Sequence, residues 1–400
     1  MKWTGSGEYF RAVPRGDAEI YVECVPQTSG SCAGMRRPAF RISSRFWQSS
    51  SQRNTMYLRS FEYFRAIAII LIVVGHCYGI SGWFIKTFGE RVLANLISGG
   101  TSLFVFISGF LFHHVFYPKF NYRKFMVKKF KNVYVPYLIL SILPVLQALW
   151  LRVPFPEFYF GPEDTIYDQI ILPAIRYYWY GGVMVYWYIP FIMTIFLISP
   201  VFIHFINLPT KYQIYIFAFF SLISIFMHRP VNNWSILQSA IYFSPVYMFG
   251  ILCSMKKEWI YEKFEGKENI LLIPIFILAV VQASFYMACG TIHKEPFEFG
   301  GIDIGFIQKN ILCVYLMVFL HKYENVDIPL FKKLAAASFA IYFLHGWFIY
   351  IISVFQSSYR EYYGLHLVPF LSCLVIFLSY FAALIVKKIY PEKSRMLIGW

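Results

Sequence analysis

The chain has 400 residues, of which 58% are hydrophobic and only 14% are charged, and its mean hydropathy is +0.53. Charged residues make up about a quarter of a typical soluble domain, so this composition excludes an ordinary soluble protein and indicates an integral membrane protein. The net charge of +15 does not indicate nucleic-acid binding, because no basic stripe alternates with the aromatic side chains on a polar surface.

The first 55 residues are rich in Ser, Gly and Arg and show no clear hydrophobic period. They contain no apolar run long enough for a signal peptide. We therefore predict that residues 1–55 form a disordered polar and basic extension and that residues 56–400 form a membrane domain. Met56 directly precedes the membrane domain and is a candidate natural start, in which case the extension lies upstream of it.

Ten apolar segments follow, each close to the ~20 residues that cross a bilayer. They lie near residues 64–84, 94–116, 133–151, 184–206, 212–228, 236–254, 270–290, 303–320, 335–356 and 366–386. Because an apolar segment in lipid must satisfy its backbone hydrogen bonds internally, we predict an all-α, polytopic membrane bundle of about ten transmembrane helices. Lys and Arg concentrate in alternate loops, which by the positive-inside rule places both termini in the cytoplasm.

The first apolar segment, "FRAIAIILIVVGHCYG", carries Arg65 and His76. At about 100° per residue, their spacing returns to within roughly 20° of one helix face and separates them by ~16 Å, with Arg65 at the cytoplasmic rim and His76 near the midplane. Ionisable residues inside a membrane are functional by default, and a neutral imidazole is suited to accept a proton. The alternative is a histidine that only packs between helices. Glu62 lies near the same stripe and can pair with Arg65 or orient it.

Two further polar residues fall at a similar predicted depth. Ser108 lies midway along "GGTSLFVFISGFLF", where it can donate a hydrogen bond, although close helix packing explains this position equally well. His345 lies in "SFAIYFLHGWFIY" near the midplane, so two histidines could line one cavity. A purely structural bond from His345 to a backbone carbonyl or to His76 is the alternative.

A basic loop, "YPKFNYRKFMVKKFKNVYVPY", joins the second and third segments and contains no acidic residue. It lies on the same predicted side as Arg65, so the two could form a cationic mouth for a phosphate-bearing ligand. Topology alone also explains a basic loop on the inside. The candidate phosphate contacts in this loop are Arg123, Lys128, Lys129 and Lys131.

The predicted external stretch before the fourth segment is aromatic and includes Trp187 in "YWYIPFI". Such rings can pack on a sugar or anchor the protein at the membrane interface. The sequence contains no phosphate-binding loop, no H-E-x-x-H or G-x-S-x-G motif and no Cys or His cluster with metal spacing, so we predict no metal site.

These motifs together resemble the acyltransferase 3 family of bacterial membrane O-acyltransferases. Its first-helix pattern of Arg, ten residues and His is similar to "RAIAIILIVVGH", and its second-helix F-F-x-I-S-G-F resembles "FVFISGF". The basic stretch that ends in Pro-Tyr resembles "VKKFKNVYVPYL", the mid-chain Trp motif resembles "YWYIPFI", and the late I-Y-L-x-H resembles "IYFLH". The five motifs occur in order over residues 58–390. One departure is that Lys128, Lys129 and Lys131 stand where many members have arginine. Lysine cannot bind phosphate bidentately, so these positions are less specific as donor contacts.

The resemblance implies a multi-pass enzyme of the bacterial plasma (inner) membrane. Its donor would be cytoplasmic acetyl-CoA or succinyl-CoA, with no permanently bound cofactor, and its acceptor a hydroxyl group of a surface polysaccharide or glycolipid. By this resemblance His76 is the catalytic base and Arg65 a catalytic and donor-site residue. From the residues themselves we expect two further groups: Glu62, Ser108, His345 and Trp187 lie in the cavity or support the residues that line it, and Arg65, Arg123, Lys128, Lys129 and Lys131 bind the donor.

Two other functions are compatible with the sequence. An exporter or flippase for a surface polysaccharide would use the same aromatic cavity, and a scaffold subunit of polysaccharide synthase machinery would have a similar bundle. The scaffold interpretation leaves the register of Arg65 and His76 to chance. The expected partners are therefore acyl-CoA, a free or lipid-linked glycan, the lipid bilayer and, for a scaffold, the synthase, but no nucleic acid.

Overall fold

The computed structural model describes the backbone of residues 9–15 and 19–25, and residues 58–151, 157–182, 184–285, 290–356 and 364–400. The chain divides into two compact units, Met1–Leu58 and Arg59–Trp400. In the first unit, strands β1 (Tyr9–Arg15) and β2 (Glu19–Val25) pair antiparallel. These strands lie inside the segment predicted to be disordered. The remainder of that segment, with Met56, lies outside the described residues, so the disordered extension stays a prediction.

The second unit is helical. Its first half contains α1 (Arg59–His76), α2 (Phe88–Ile97), α3 (Gly100–Leu111), α4 (Tyr122–Lys129), α5 (Val135–Leu151), α6 (Leu172–Tyr180), α7 (Tyr188–Leu197) and α8 (Ser199–Asn207). Its second half contains α9 (Thr210–Met227), α10 (Ile236–Met255), α11 (Lys257–Phe264), α12 (Leu272–Phe285), α13 (Ile304–His321), α14 (Pro329–Gln356), α15 (Leu367–Ile389) and α16 (Ser394–Leu397). Single π-helical turns extend α3 and α4 and precede α6. The predicted all-α polytopic bundle is confirmed.

The number of spans differs slightly from the prediction. All ten predicted segments contain a helix, but among the described residues eight helical segments are long and apolar enough to cross a membrane. The pair α7 and α8, bent by 52°, makes nine if it is counted as one span. Helix α1 is not among them because it carries Arg59, Glu62 and Arg65, yet it packs along α14 inside the bundle. The three charged residues thus keep α1 below the composition of a membrane span although eight of its residues are buried in the bundle.

Helix α1 ends earlier than the first apolar segment suggested. The segment was predicted to run to residue 84, whereas the helix stops at His76 and is followed by turns, with Gly82 at a φ of 63°. The Thr87 side chain accepts a hydrogen bond from the Glu90 amide and forms a capping box that begins α2. His76 therefore lies in the last turn of α1 and not in the middle of a longer span.

Close contact between α3 and α10 holds the centre of the bundle together. A Cβ atom on Gly109 would lie 2.0 Å from the Tyr247 carbonyl oxygen, and one on Gly250 would lie 2.2 Å from the Phe106 carbonyl oxygen. Only glycine permits this approach of two helix backbones. The contact fixes the position of α3, which runs past α1 and carries Ser108.

Candidate functional site

A basic cavity of about 550 Å³ opens at the end of the bundle where α1 begins. We call it the basic cavity, and no acidic side chain is among the described residues that line it. Its volume lies within the range of small-molecule and cofactor sites. Five cationic side chains line it: Arg65, Lys128, Lys129, Lys387 and Arg395. Because Arg65 comes from α1 and Arg395 follows α15, the helical unit begins and ends at the same end of the bundle.

The basic loop contributes only part of its predicted set to this cavity. Lys128 and Lys129 line it, whereas Arg123 and Lys131 are exposed and are not among the lining residues. Sequence reasoning missed Lys387 and Arg395 as site residues. In the sequence, Lys387 and Arg395 belong to the basic stretch after the last apolar segment, and the positive-inside rule by itself accounts for such a stretch.

An aromatic cage holds the ammonium group of Lys129. Its Nζ atom lies 4.2 Å from the ring centroid of Phe196, 4.8 Å from that of Phe116 and 5.2 Å from that of Phe125. Such cation–π contacts stabilise a cation by about 0.5–2 kcal/mol each, depending on how much water is excluded. The cage therefore fixes a positive charge on the wall of the basic cavity without neutralising it with a carboxylate.

Arg65 is held against α14 by a direct hydrogen bond. Its Nη2 atom donates to the Ser338 hydroxyl oxygen at 3.0 Å, and that hydroxyl donates to the Ala335 carbonyl at 2.8 Å. Glu62, one turn earlier on α1, interacts electrostatically with Arg65. Ser338 thus orients the guanidinium, which also lines the basic cavity.

His76 contacts the same helix at the other end of α1. Its ring centroid lies 5.2 Å from that of His345, so Arg65 and His76 both face α14, as their spacing predicted. The Nδ1 atom of His76 lies 2.8 Å from the Ile72 carbonyl oxygen, and that of His345 lies 3.1 Å from the Ile341 carbonyl oxygen. A carbonyl only accepts, so each Nδ1 carries a proton and each neutral ring has its lone pair on Nε2.

A small pocket of about 20 Å³ lies beside His76, and we call it the histidine pocket. His76 keeps a solvent-accessible surface, whereas His345 is fully buried and its Nε2 has no hydrogen-bond partner. Phe104, Tyr188 and Phe339 line both the histidine pocket and the basic cavity. The histidine pocket and the basic cavity therefore meet at these three aromatic rings, which we call the aromatic wall.

The two remaining predicted cavity residues lie on either side of this wall. Ser108 lines the basic cavity together with Tyr188. Trp187 lines the histidine pocket. Of the four predicted cavity residues, Ser108 and Trp187 thus each line one space, whereas Glu62 and His345 are not among the residues that line either.

Arg229 is a buried cation near His76 that sequence reasoning counted only as a loop charge. Its guanidinium carbon lies 4.8 Å from the ring centroid of Trp187, and its Nη2 donates to the Asn233 side chain at 2.7 Å. Burial lowers the pKa of Arg229, an effect opposed by Tyr242 and Asp303. Arg229 also interacts electrostatically with His76, so the histidine pocket has a positive charge on its far side.

Comparison with known proteins gives one match. A family model described as an acyltransferase domain matches residues 58–386. Neither a curated protein nor a solved structure matches the chain. Among the described residues, no group of three or more His, Cys, Asp or Glu side chains is placed to hold a metal ion.

Proposed function

The chain belongs to the acyltransferase 3 family and is a membrane acyltransferase, and we propose that it transfers an acetyl or succinyl group from acyl-CoA to a hydroxyl group of a cell-surface polysaccharide or glycolipid. The observation that carries this proposal is the placement of His76 across an aromatic wall from a chamber lined by five cations. The basic cavity suits a polyphosphorylated donor, and the histidine pocket contains the imidazole that can act as a base.

The phosphates of the donor bind in the basic cavity. Arg65, Lys128 and Lys129 supply positive charge there, and charge-assisted hydrogen bonds to phosphate oxygens are stronger than neutral ones. Arg65 is the best oriented of the three because Ser338 fixes its guanidinium. The thioester end of the donor then passes between Phe104, Tyr188 and Phe339, which line both spaces, and reaches His76.

His76 acts as the general base. Its Nε2 lone pair takes the proton of the acceptor hydroxyl as the hydroxyl oxygen attacks the thioester carbonyl carbon. A new C–O bond forms, the C–S bond breaks, and the proton passes from His76 to the departing thiolate. The products are an O-acyl ester and free coenzyme A, and the imidazole returns to its starting tautomer.

We assign the basic end of the bundle to the cytoplasm and the enzyme to the bacterial plasma membrane. The positive-inside rule supports this orientation, because the basic loop and the residues after α15 lie at the end where α1 begins. Acyl-CoA would then enter from the compartment in which it is made. The glycan acceptor, free or lipid-linked, is the second substrate.

The test compares membranes that contain the wild type with membranes that contain His76→Ala, and His204→Ala serves as control because His204 is exposed on α8. Radioactive acetyl-CoA or succinyl-CoA is supplied, and label in surface polysaccharide is measured together with the amount of glycan exported. We expect the wild type and His204→Ala to label glycan, and His76→Ala to lose labelling while export persists.

Two other outcomes contradict the proposal. If His76→Ala labels glycan as fast as the wild type, the histidine is not the base. If the wild type never labels glycan and its deletion stops export, the acceptor and donor assigned here are wrong and an exporter is indicated.

A further inference from the structure

The residues after α15 fold back onto the end of the bundle. The Ser394 amide donates to the Tyr390 carbonyl at 2.8 Å, and the Ile398 amide donates to the Ser394 carbonyl at 2.8 Å. Ile398 is buried in an apolar cluster with Ala340 of α14 and Ala383 of α15. This anchoring makes residues 394–400 part of the wall of the basic cavity.

Gly399 gives this segment the turn that it needs. Its φ is +83°, a left-handed conformation that favours glycine, and an added Cβ would lie 2.8 Å from the Phe339 ring. Phe339 belongs to the aromatic wall between the two spaces. The glycine thus allows the chain to approach that wall closely and places Trp400 on the lining of the basic cavity.

Trp400 in turn fixes a cation. The Lys387 ammonium nitrogen lies 4.0 Å from the Trp400 ring centroid. The ring centroid of Tyr380 lies 5.6 Å from that of Trp400. A cation over the face of tryptophan is the strongest form of this contact. Lys387 is exposed near the end of α15, and the Trp400 ring holds its charge at the lining of the basic cavity.

Like charges converge in this cavity. Arg395 is close enough to Arg65 and to Lys129 to repel both electrostatically. Glu62 attracts Arg65 from outside the lining, whereas no acidic side chain is among the described residues that line the cavity. Several cations held together in one partly enclosed space are stabilised when an anion with several charges binds between them.

We propose that Lys387 and Arg395 bind phosphate groups of the polyphosphorylated donor, and that Trp400 positions Lys387 for this contact. The inference rests on the proposed function, because it concerns the donor named there. It adds a second group of donor contacts, from the C-terminal residues, to those of α1 and the basic loop.

The test measures equilibrium binding of radiolabelled coenzyme A to the purified full chain in nanodiscs of phosphatidylcholine. Lys387→Gln and Arg395→Gln are compared with Lys388→Gln and Lys393→Gln, which remove neighbouring exposed charges that do not line the cavity. We expect the Kd for coenzyme A to rise about 5- to 20-fold in each cavity variant and to stay within about 2-fold in each control. Arg395→Lys should recover part of the affinity, because lysine keeps the charge but cannot bind phosphate bidentately.

Trp400 has its own variant pair. Trp400→Leu removes the ring face that holds Lys387 and should raise the Kd for coenzyme A about 2- to 5-fold. Trp400→Phe keeps an aromatic ring and should leave the Kd close to that of the wild type. In Lys387→Gln, a further change of Trp400→Leu should have little additional effect. If the two changes instead multiply, Trp400 does not act through Lys387.

The outcomes separate the two proposals. If the wild type binds coenzyme A and the cavity variants bind it as well as their controls, the C-terminal contact is wrong while the donor assignment stands. If the wild type binds no coenzyme A, both are wrong. A phospholipid could supply the same phosphate chemistry, so the measurement is repeated with phosphatidylglycerol in the nanodiscs. If phosphatidylglycerol weakens coenzyme A binding by the wild type to the level of the cavity variants, a lipid headgroup is the occupant and the proposal is wrong.

Discussion

The imidazole rings of His76 and His345 lie with their centroids 5.2 Å apart and their planes tilted by 52°. Each ring donates its Nδ1 proton to the carbonyl four residues earlier on its own helix, so both Nε2 atoms are left as acceptors. One ring is accessible and the other is fully buried. The accessible ring can exchange a proton with a substrate, and the buried one limits the orientations that the first can adopt.

His345 should therefore behave as a positioning residue. We expect His345→Gln to lower kcat about 10-fold with the KM for acyl-CoA unchanged, whereas His76→Ala lowers kcat by about 10² to 10⁴, the usual contribution of a general base. The measurement is acyl transfer over a range of donor concentrations in purified protein. Equal losses in the two variants would show that both histidines take part directly.

Arg65 and Ser338 are separated by 273 residues in sequence but joined by a 3.0 Å hydrogen bond. We expect Arg65→Gln to raise the KM for acyl-CoA about 10- to 100-fold, because a charged group is lost from the donor site. Ser338→Ala should raise it less, since the charge remains and only its orientation is lost. In a double-mutant cycle the effects should not be additive, and additive effects would exclude an orienting role for Ser338.

The basic loop offers a matched comparison between two cations. Lys128 lines the basic cavity, whereas Arg123 is exposed and lies outside its lining. We expect Lys128→Gln to weaken coenzyme A binding about 3- to 10-fold at low salt and Arg123→Gln to weaken it less than 2-fold. Both differences should shrink as salt is raised. If Arg123→Gln instead weakens coenzyme A binding as much as Lys128→Gln does, Arg123 is also a donor contact, as the sequence predicts.

The aromatic wall should keep water from the thioester. Phe104 lines both the histidine pocket and the basic cavity, so Phe104→Ala should join the two spaces. We expect this variant to hydrolyse acyl-CoA without acceptor several-fold faster than the wild type, as followed by release of free thiol. Phe219→Ala, on the exposed face of α9, is the control. Unchanged hydrolysis in Phe104→Ala would show that the ring is not a barrier.

The contact of α3 with α10 should be sensitive to a single methyl group. Gly109→Ala and Gly250→Ala would each place a Cβ within 2.2 Å of a backbone oxygen. We expect each to lower the free energy of unfolding by about 1–3 kcal/mol, because the helices must move apart. Thermal unfolding in detergent measures this, and Gly89→Ala is the control, since its Cβ would meet nothing within 4 Å. A Tm that is unchanged in all three variants would contradict the tight packing.

Part of the site could be predicted from local spacing. The register of Arg65 and His76 on one face follows from the 3.6-residue helical period, and both residues do face α14. The same rule could not fix where α1 ends. The chain leaves the helix through a bend and turns over residues 77–82, with Gly82 at a φ of 63°, which makes His76 the last residue of α1.

The sequence by itself determined the properties that depend on near neighbours along the chain: the apolar helical segments, the shared face of Arg65 and His76, and the motifs of the family. Only the tertiary structure decided which distant groups meet them. Ser338 and His345 reach α1 because α14 packs along it, and Lys387 and Arg395 join the basic cavity because α15 packs along α14. The physical reason is that helix periodicity is set by hydrogen bonds over four residues, whereas contacts between helices depend on the fit of side chains that no local pattern specifies.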